Sequence, residues 1–228
     1  MPALVSAAPA PLRQRFSLVL LLAASLALST LLIVFRVFWT HQIMFVFLLW
    51  NLFLAAVPFA LSLLLSLAAP TTRRRLLLPV GAVWLLFFPN APYILTDLFH
   101  LQERPGVPFW YDLAVILTSA WNGLMLGYAS LLDMQGFVAE RLNRLSSWFF
   151  AGGVLMLSGF GVFLGRYLRW NSWDIVANPL GLACDIAHRV LHPFAYPGTW
   201  GVTLLYGAFL MLGYATVRVL GRLQAAEL

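Results

Sequence analysis

The sequence predicts an all-α integral membrane bundle of about six transmembrane helices, with one further amphipathic helix on the outer membrane surface. Of the 228 residues, 62% are hydrophobic and only 10% are charged, whereas roughly 25% are charged in an ordinary globular domain. Six segments are apolar over the roughly 20 residues that a helix needs to cross a bilayer. Short runs of arginine separate several of these segments.

The composition excludes a soluble enzyme, a disordered chain and a disulfide scaffold. A soluble fold of this length keeps much of its surface in water and could not hide so large an apolar share. The single cysteine, Cys184, cannot form an intrachain disulfide. The net charge of +6 comes from arginine alone, and its distribution indicates membrane topology and contact with anionic lipid rather than nucleic acid.

The predicted spans form a single membrane domain over residues 1–228. They run over residues 16–37, 43–68, 76–96, 108–131, 146–168 and 199–220. The first span follows Arg13 and Arg15 and could be mistaken for a signal peptide. Its apolar run is longer than the roughly 7–15 residues of the apolar core of a signal peptide, and no clear Ala-x-Ala site follows, so we expect it to be retained.

The arginines predict that both termini are cytoplasmic, because cytoplasmic loops carry an excess of Arg and Lys. In that orientation nine arginines lie inside: Arg13, Arg15, Arg73, Arg74, Arg75, Arg141, Arg144, Arg218 and Arg222. Five lie outside: Arg36, Arg104, Arg166, Arg169 and Arg189. An even number of spans agrees with this topology.

A short amphipathic helix is predicted between the last two spans. Asn178 followed by Pro179 is typical of a helix N-terminus. One side of residues 180–191 is apolar, with Leu182, Ala183, Ile186, Ala187 and Val190. The other side carries Asp185, His188, Arg189 and His192. This pattern favours a helix that lies flat on the outer membrane surface.

The outer end of the third span is unusually polar. Pro89 and Pro92 each remove a backbone donor, so the freed carbonyls must face protein or water. If the helix continues, a polar stripe lies on one face at spacings of three and four: Asn90, Tyr93, Asp97, His100 and Arg104. At 1.5 Å per residue, Asn90 is still within a bilayer core of about 30 Å.

The fourth and fifth spans carry further polar groups at their predicted outer ends. Asp112 shares a face with Ser119 and Asn122. Together with the third span, these ends form a candidate site. The predicted catalytic residues are Asp97, His100 and Asp112, and the predicted substrate-binding residues are Asn90, Tyr93, Arg166, Arg169, Asn171 and Asp174. The alternative is an ion-pair lock between helix ends, because buried charges must pair in either case.

Two glycine pairs predict that the fourth and fifth spans pack tightly, with packing against each other as one arrangement: Gly123 with Gly127, and Gly161 with Gly165. Asp185, His188 and His192 have the spacing of a metal-binding helix face, but the solvated side of an interfacial helix explains them better. We therefore predict no metal. We also predict no cofactor, because the sequence has no phosphate-binding loop, nucleophile elbow or haem motif.

Two long stretches and a short one resemble a known family. They are FPNAPYILTDLFHL at 88–101, GRYLRWNSWD at 165–174, and the triplet Trp110, Tyr111 and Asp112 between them. From about the third span onward the chain resembles the bacterial membrane family of domain of unknown function 1361. The resemblance implies a polytopic protein of the bacterial inner membrane and implies no activity.

Three functions remain open. In an enzyme acting at the outer leaflet, His100 would be the acid or base, Asp97 would orient it, and Arg166 and Arg169 would hold an anionic lipid or lipid-linked substrate. A broken third span would also suit a transporter or channel-like protein. Short loops would suit a non-catalytic membrane subunit or assembly factor. The predicted partner is the lipid bilayer, and protein partners are not predicted.

Overall fold

The protein is described by a computed structural model that covers the chain from Leu12 to Ala226 and its side chains from Arg15 to Leu223. The side chain of Arg13, used in the orientation prediction, lies outside the described residues. The α-helices are α1 (Leu12–Thr40), α2 (Phe47–Leu67), α3 (Pro70–Phe87), α4 (Asn90–Tyr93), α5 (Phe109–Arg141), α6 (Arg144–Tyr167), α7 (Asp174–Ala177), α8 (Pro179–Leu191) and α9 (Pro197–Ala226). Two 3-10 helices cover Ile94–His100 and Pro193–Ala195.

The predicted all-α fold with six spans is confirmed. Within the described residues, six helical segments are long and apolar enough to cross a membrane: Arg15–Thr40, Phe47–Leu67, Pro70–His100, Phe109–Arg141, Arg144–Tyr167 and Pro197–Leu223. The span beginning at Phe109 extends ten residues beyond its predicted end, because Asp133 and Gln135 interrupt the apolar pattern without interrupting the helix.

Large apolar side chains cover much of the outside of these helices. Leu21, Leu78 and Phe149 are 69%, 77% and 74% exposed. In water such a surface would drive aggregation. In a bilayer it faces lipid tails, so the exposed apolar surface agrees with a membrane protein.

The chain divides into two compact units, Met1–Phe150 (unit 1) and Ala151–Leu228 (unit 2). Whether they make up the single membrane domain that the sequence predicts stays a prediction.

Unit 1 is built around α5, which packs against α1, α2 and α4. Its core contains the fully buried side chains of Leu48, Ala55, Ile94 and Ile116. Because α1 and α5 run antiparallel, the end of α1 lies beside the start of α5. We call this end of unit 1 the Arg36 end, and the opposite end, where α3 begins and α5 ends, the Arg141 end.

The third span is broken where the two prolines predict a disturbance. Helix α3 ends at Phe87, and α4 and a 3-10 helix follow, so the expected continuous helical face does not form. The carbonyl of Phe88 accepts a hydrogen bond from the Ala91 N–H at 3.1 Å. The Asn90 side-chain amide donates to the Phe87 carbonyl at 2.8 Å. These bonds satisfy backbone groups that a bilayer would otherwise leave without partners.

Gly123 and Gly127 both pack against Ala91 of α4, and a Cβ atom on Gly123 would meet the Ala91 carbonyl oxygen. Gly123 therefore lets the broken third span approach the backbone of α5. The expected packing of the fourth span against the fifth stays a prediction.

Unit 2 contains the predicted amphipathic helix as α8. The Asn178 side chain accepts a hydrogen bond from the Gly181 N–H at 3.1 Å, as an N-cap does. The predicted polar side is wrong at Arg189. This residue is only 9% exposed, and its guanidinium carbon lies 4.9 Å from the centre of the Tyr196 ring.

We expect Gly123→Ala to lower the free energy of unfolding by about 1–3 kcal/mol, because the added methyl group overpacks a rigid backbone contact. The measurement is thermal unfolding of the detergent-solubilised protein. Gly136→Ala is the matched control on the same helix. A Cβ atom there meets nothing within 4 Å, so improved helix propensity should stabilise it slightly. Equal stability of the two variants would contradict the assigned contact.

Candidate functional site

A buried ion-pair cluster lies at the Arg36 end of unit 1. The Nε and Nη2 atoms of Arg36 donate to the two carboxylate oxygens of Asp112 at 2.6 and 3.1 Å. Nη1 of Arg104 donates to Oδ2 of the same carboxylate at 3.1 Å. The predicted Arg–carboxylate pairing therefore occurs in unit 1, and Asp112 holds two arginines.

Phe45 supports both guanidinium groups from one side. Its ring lies 4.7 Å from the Arg36 guanidinium carbon and 5.2 Å from that of Arg104, which is the range of a cation–π contact. Phe45 is fully buried and has a φ of 68°, a conformation that costs energy in a bulky residue. The loop between α1 and α2 accepts this strain where the ring meets the two charges.

A second group at the same end contains Asp97 and His100. The Asn51 amide of α2 donates to Oδ2 of Asp97 at 2.8 Å. Oδ1 of Asp97 lies 3.8 Å from Nδ1 of His100. The Asp97 side chain is 2% exposed, whereas that of His100 is 42% exposed. Nδ1 itself is buried and has no hydrogen-bond partner, so the ring reaches from a buried carboxylate to the surface.

Arg104 joins these two groups. Its Nη1 atom contacts Asp112, and its Nη2 atom donates to the His100 carbonyl at 2.8 Å. The 3-10 helix at Ile94–His100 brings His100 within reach of this arginine. The structure therefore places all three predicted catalytic residues in one connected cluster.

The two other predicted residues of unit 1 lie on the broken span. Asn90 and Tyr93 are each half-buried. The Asn90 amide contacts the Phe87 carbonyl, and the Tyr93 carbonyl accepts from the Thr96 hydroxyl at 2.7 Å. Both contacts are local hydrogen bonds within the broken span. The role of Asn90 and Tyr93 in substrate binding stays a prediction.

The remaining predicted residues belong to unit 2. Oδ2 of Asp174 accepts from the Asn171 backbone N–H at 2.6 Å, which closes the turn before α7. Arg169 is exposed and has a φ of 62°. The backbone N–H of the next residue, Trp170, donates back to the Leu164 carbonyl of the helix. Arg169 therefore occupies the left-handed position that ends many helices. The roles of Arg166, Arg169, Asn171 and Asp174 in substrate binding stay predictions.

Asp185 of α8 takes part in local side-chain contacts. It accepts from Nε1 of Trp170 at 2.7 Å and from Nη1 of Arg189 at 3.2 Å. In the part of the chain that the structure describes, no three His, Cys, Asp or Glu side chains come together as metal ligands would.

Sequence reasoning missed a polar ladder between α1 and α5. Arg36 pairs with Asp112, and the Asn122 amide donates to the Ser29 hydroxyl at 2.8 Å. Arg15 pairs with Asp133 at 2.8 Å. Asp112, Asn122 and Asp133 are spaced by about three helical turns, so they share one face of α5. The sequence signal that could have indicated this pairing is the spacing of these residues on α5, together with polar residues in reverse order on the first span.

Six apolar helices with polar groups paired between them define a multi-pass membrane protein. The chain matches the family described as protein of unknown function (DUF1361) over residues 50–212. It therefore belongs to this family, and the match begins within the second span, earlier than the resemblance suggested. No curated protein and no solved structure matches the chain.

Removing the charge of Asp112 should lower the free energy of unfolding more than removing that of Arg104. We expect Asp112→Asn to cost about 3–5 kcal/mol of unfolding free energy, because it leaves Arg36 buried without a counter-charge. Arg104→Gln keeps the Arg36–Asp112 pair and should cost about 1–3 kcal/mol. Chemical unfolding in mild detergent measures both. Equal losses would show that the buried pair does not anchor the helices.

Arg169→Gly should stabilise unit 2 by roughly 1 kcal/mol, because glycine adopts a left-handed conformation without a steric penalty. The Tm in detergent is the measurement, and Arg169→Ala is the control that removes the guanidinium but keeps the strain. If both variants lost function while only Arg169→Gly gained stability, the predicted substrate contact would be supported. A lower Tm for Arg169→Gly would contradict this prediction.

Proposed function

We propose that the protein is a membrane enzyme that carries out acid–base chemistry on an anionic lipid or lipid-linked compound. The reaction would take place at the predicted outer face of a bacterial inner membrane. The observation that carries this proposal is the exposed imidazole of His100 backed by the buried carboxylate of Asp97, with Nδ1 and Oδ1 3.8 Å apart. A base oriented by a second group is a recurrent arrangement for proton transfer, and such contacts often tighten when substrate binds.

The neighbours of Asp97 support a positioning role for it. Asn51 holds one carboxylate oxygen, which fixes the other towards His100. The Phe47 ring lies 5.0 Å from the imidazole and restricts its movement. In this proposal His100 moves the proton, and Asp97 and Asn51 set the orientation of its ring.

The arginines favour an anionic substrate. The Arg104 guanidinium donates a hydrogen bond to the His100 backbone carbonyl, and 16% of the Arg104 side chain is exposed. Arginine binds phosphate and carboxylate groups through paired N–H donors. In this proposal Asp112 holds Arg36 and Arg104 in place instead of exchanging protons.

The test is turnover of lipids by the purified protein reconstituted with a bacterial lipid extract. We expect a time-dependent change in a lipid or lipid-linked compound, followed by mass spectrometry. His100→Asn should lower the rate by about 10²-fold or more, as expected for loss of a general acid or base. Asp97→Asn should lower the rate and change its pH profile, which a purely structural role would not do.

His41→Asn is the matched control. His41 also lies at the Arg36 end of unit 1, is exposed, and has a φ of 54° that asparagine tolerates. It should keep full turnover. Full turnover of His100→Asn, or the absence of any lipid change with the folded protein, would refute the enzymatic proposal.

A non-catalytic subunit is the second candidate, favoured by the state of Asp112. Three N–H donors from two arginines occupy its carboxylate, as an ion-pair lock requires. This function predicts a stoichiometric protein partner that co-purifies in mild detergent and no lipid turnover. Its partner contacts would be lost on mutating Gly161 or Gly165, while His100→Asn would leave the complex intact.

Transport, the third possibility, receives less support. Nδ2 of Asn122 lies within hydrogen-bond distance of three acceptors, the Ser25 carbonyl, the Ser29 hydroxyl and the Thr118 carbonyl, at 3.1, 2.8 and 2.9 Å. These bonds give Asn122 a role in packing α1 on α5. If the protein were a transporter, flux into vesicles should be abolished by Asn122→Leu in a protein that still folds.

A further inference from the structure

A positively charged cleft opens at the Arg141 end of unit 1, away from the cluster around His100. Its volume is about 480 Å³, and it lies between the start of α3 and the end of α5. Three arginines and one carboxylate line it, namely Arg73, Arg74, Arg141 and Glu140. The excess of cationic side chains makes the cleft suitable for an anion.

Contacts with a backbone carbonyl and an aromatic ring hold two of the arginines in place without neutralising their positive charge. Nη2 of Arg141 donates to the Arg74 carbonyl at 2.7 Å, which ties the end of α5 to the start of α3. The Arg73 guanidinium stacks over the Phe137 ring at 5.2 Å. Its separation from the Glu140 carboxylate is 3.9 Å, beyond hydrogen-bond distance. One carboxylate cannot neutralise three guanidinium groups.

The start of α3 adds to the positive potential. Ala69 precedes the helix and provides no side-chain cap, and Pro70 begins it. The first N–H groups of a helix have no partner within the helix and attract anions. Because Pro70 lines the cleft, this helix end and the arginines act on the same space.

The cleft also has an apolar part. Leu77 and Phe137 are buried in its wall, and Leu142 is 69% exposed at the end of α5. Helix α5 spans 33 residues, or about 50 Å, whereas the bilayer core is about 30 Å thick. Helix α5 is therefore long enough for its Arg141 end to reach the level of the lipid head groups, and at that end apolar side chains lie beside a cationic pocket.

We propose that this cleft binds the phosphate of an anionic phospholipid head group, with the acyl chains lying along the apolar side chains. Arg74 and Arg141 would contact the phosphate, and Arg73 would add to the potential from its place on Phe137. The chemistry would also suit a soluble phosphate, but the apolar wall and the position at the membrane surface favour a lipid. The site is separate from the one proposed for acid–base chemistry.

The test is native mass spectrometry of the detergent-solubilised full chain with added phosphatidylglycerol or phosphatidylcholine of the same acyl chains. We expect retention of phosphatidylglycerol and at least about tenfold weaker binding of phosphatidylcholine. The double variant Arg74→Gln/Arg141→Gln should lose the preference by about tenfold or more. Arg75→Gln is the matched control: Arg75 is an exposed neighbour that does not line the cleft, and the preference should remain.

Three outcomes would overturn the proposal: equal binding of the two lipids, equal loss in Arg75→Gln, or displacement of phosphatidylglycerol by millimolar inorganic phosphate. The last result would assign the cleft to a soluble phosphate. Because Arg141 also bonds to the Arg74 backbone, Arg74→Lys/Arg141→Lys tests for a folding defect. It keeps the charge and should retain phosphatidylglycerol even if the glutamine variant unfolds, and loss of the preference in the folded lysine variant would also refute the proposal.

Discussion

The buried pair of Arg36 and Asp112 is the interaction on which unit 1 depends most. Neither side chain is more than 2% exposed, and a charge buried in a protein without a partner costs several kcal/mol. The pair therefore fixes the end of α1 against the start of α5. Asp112 also lies in the first turn of α5, where the helix dipole favours a negative charge. One carboxylate thus pairs with two arginines and also lies at the positive end of a helix.

The pair is one step of a ladder that sets the register of two antiparallel helices. Asp112, Asn122 and Asp133 of α5 meet Arg36, Ser29 and Arg15 of α1 in reverse order. Lipid tails are as apolar as leucine, so apolar contact alone does little to select how two membrane helices slide along each other. Polar partners do select it, because a shift by one turn would leave several groups without hydrogen bonds.

The sequence allowed the spans to be predicted because hydropathy over about 20 residues is a local property. It also placed Asp97 next to His100, three residues apart. It could not identify Asn51 as the partner of Asp97, or Arg36 as the partner of Asp112, because these pairs join distant spans and leave no local spacing to detect. It could not identify Ala91 as a neighbour of Gly123 for a related reason: a small residue indicates a close approach but not which helix approaches. The two prolines predicted the disturbance of the third span, whereas the turn that resolves it depends on the neighbouring backbone.

The two carboxylates at the Arg36 end differ in what surrounds them. Asp112 meets guanidinium groups on both oxygens, so its position is fixed by charge. Asp97 accepts from an amide on one oxygen and has an exposed imidazole near the other, which is the arrangement on which the proposed role of His100 depends. Arg104 connects them, because one of its nitrogens contacts Asp112 while another holds the His100 carbonyl. Arg104 therefore ties the His100 backbone to the ion pair, so we expect a change that loosens the pair to shift His100 as well as to destabilise the helices.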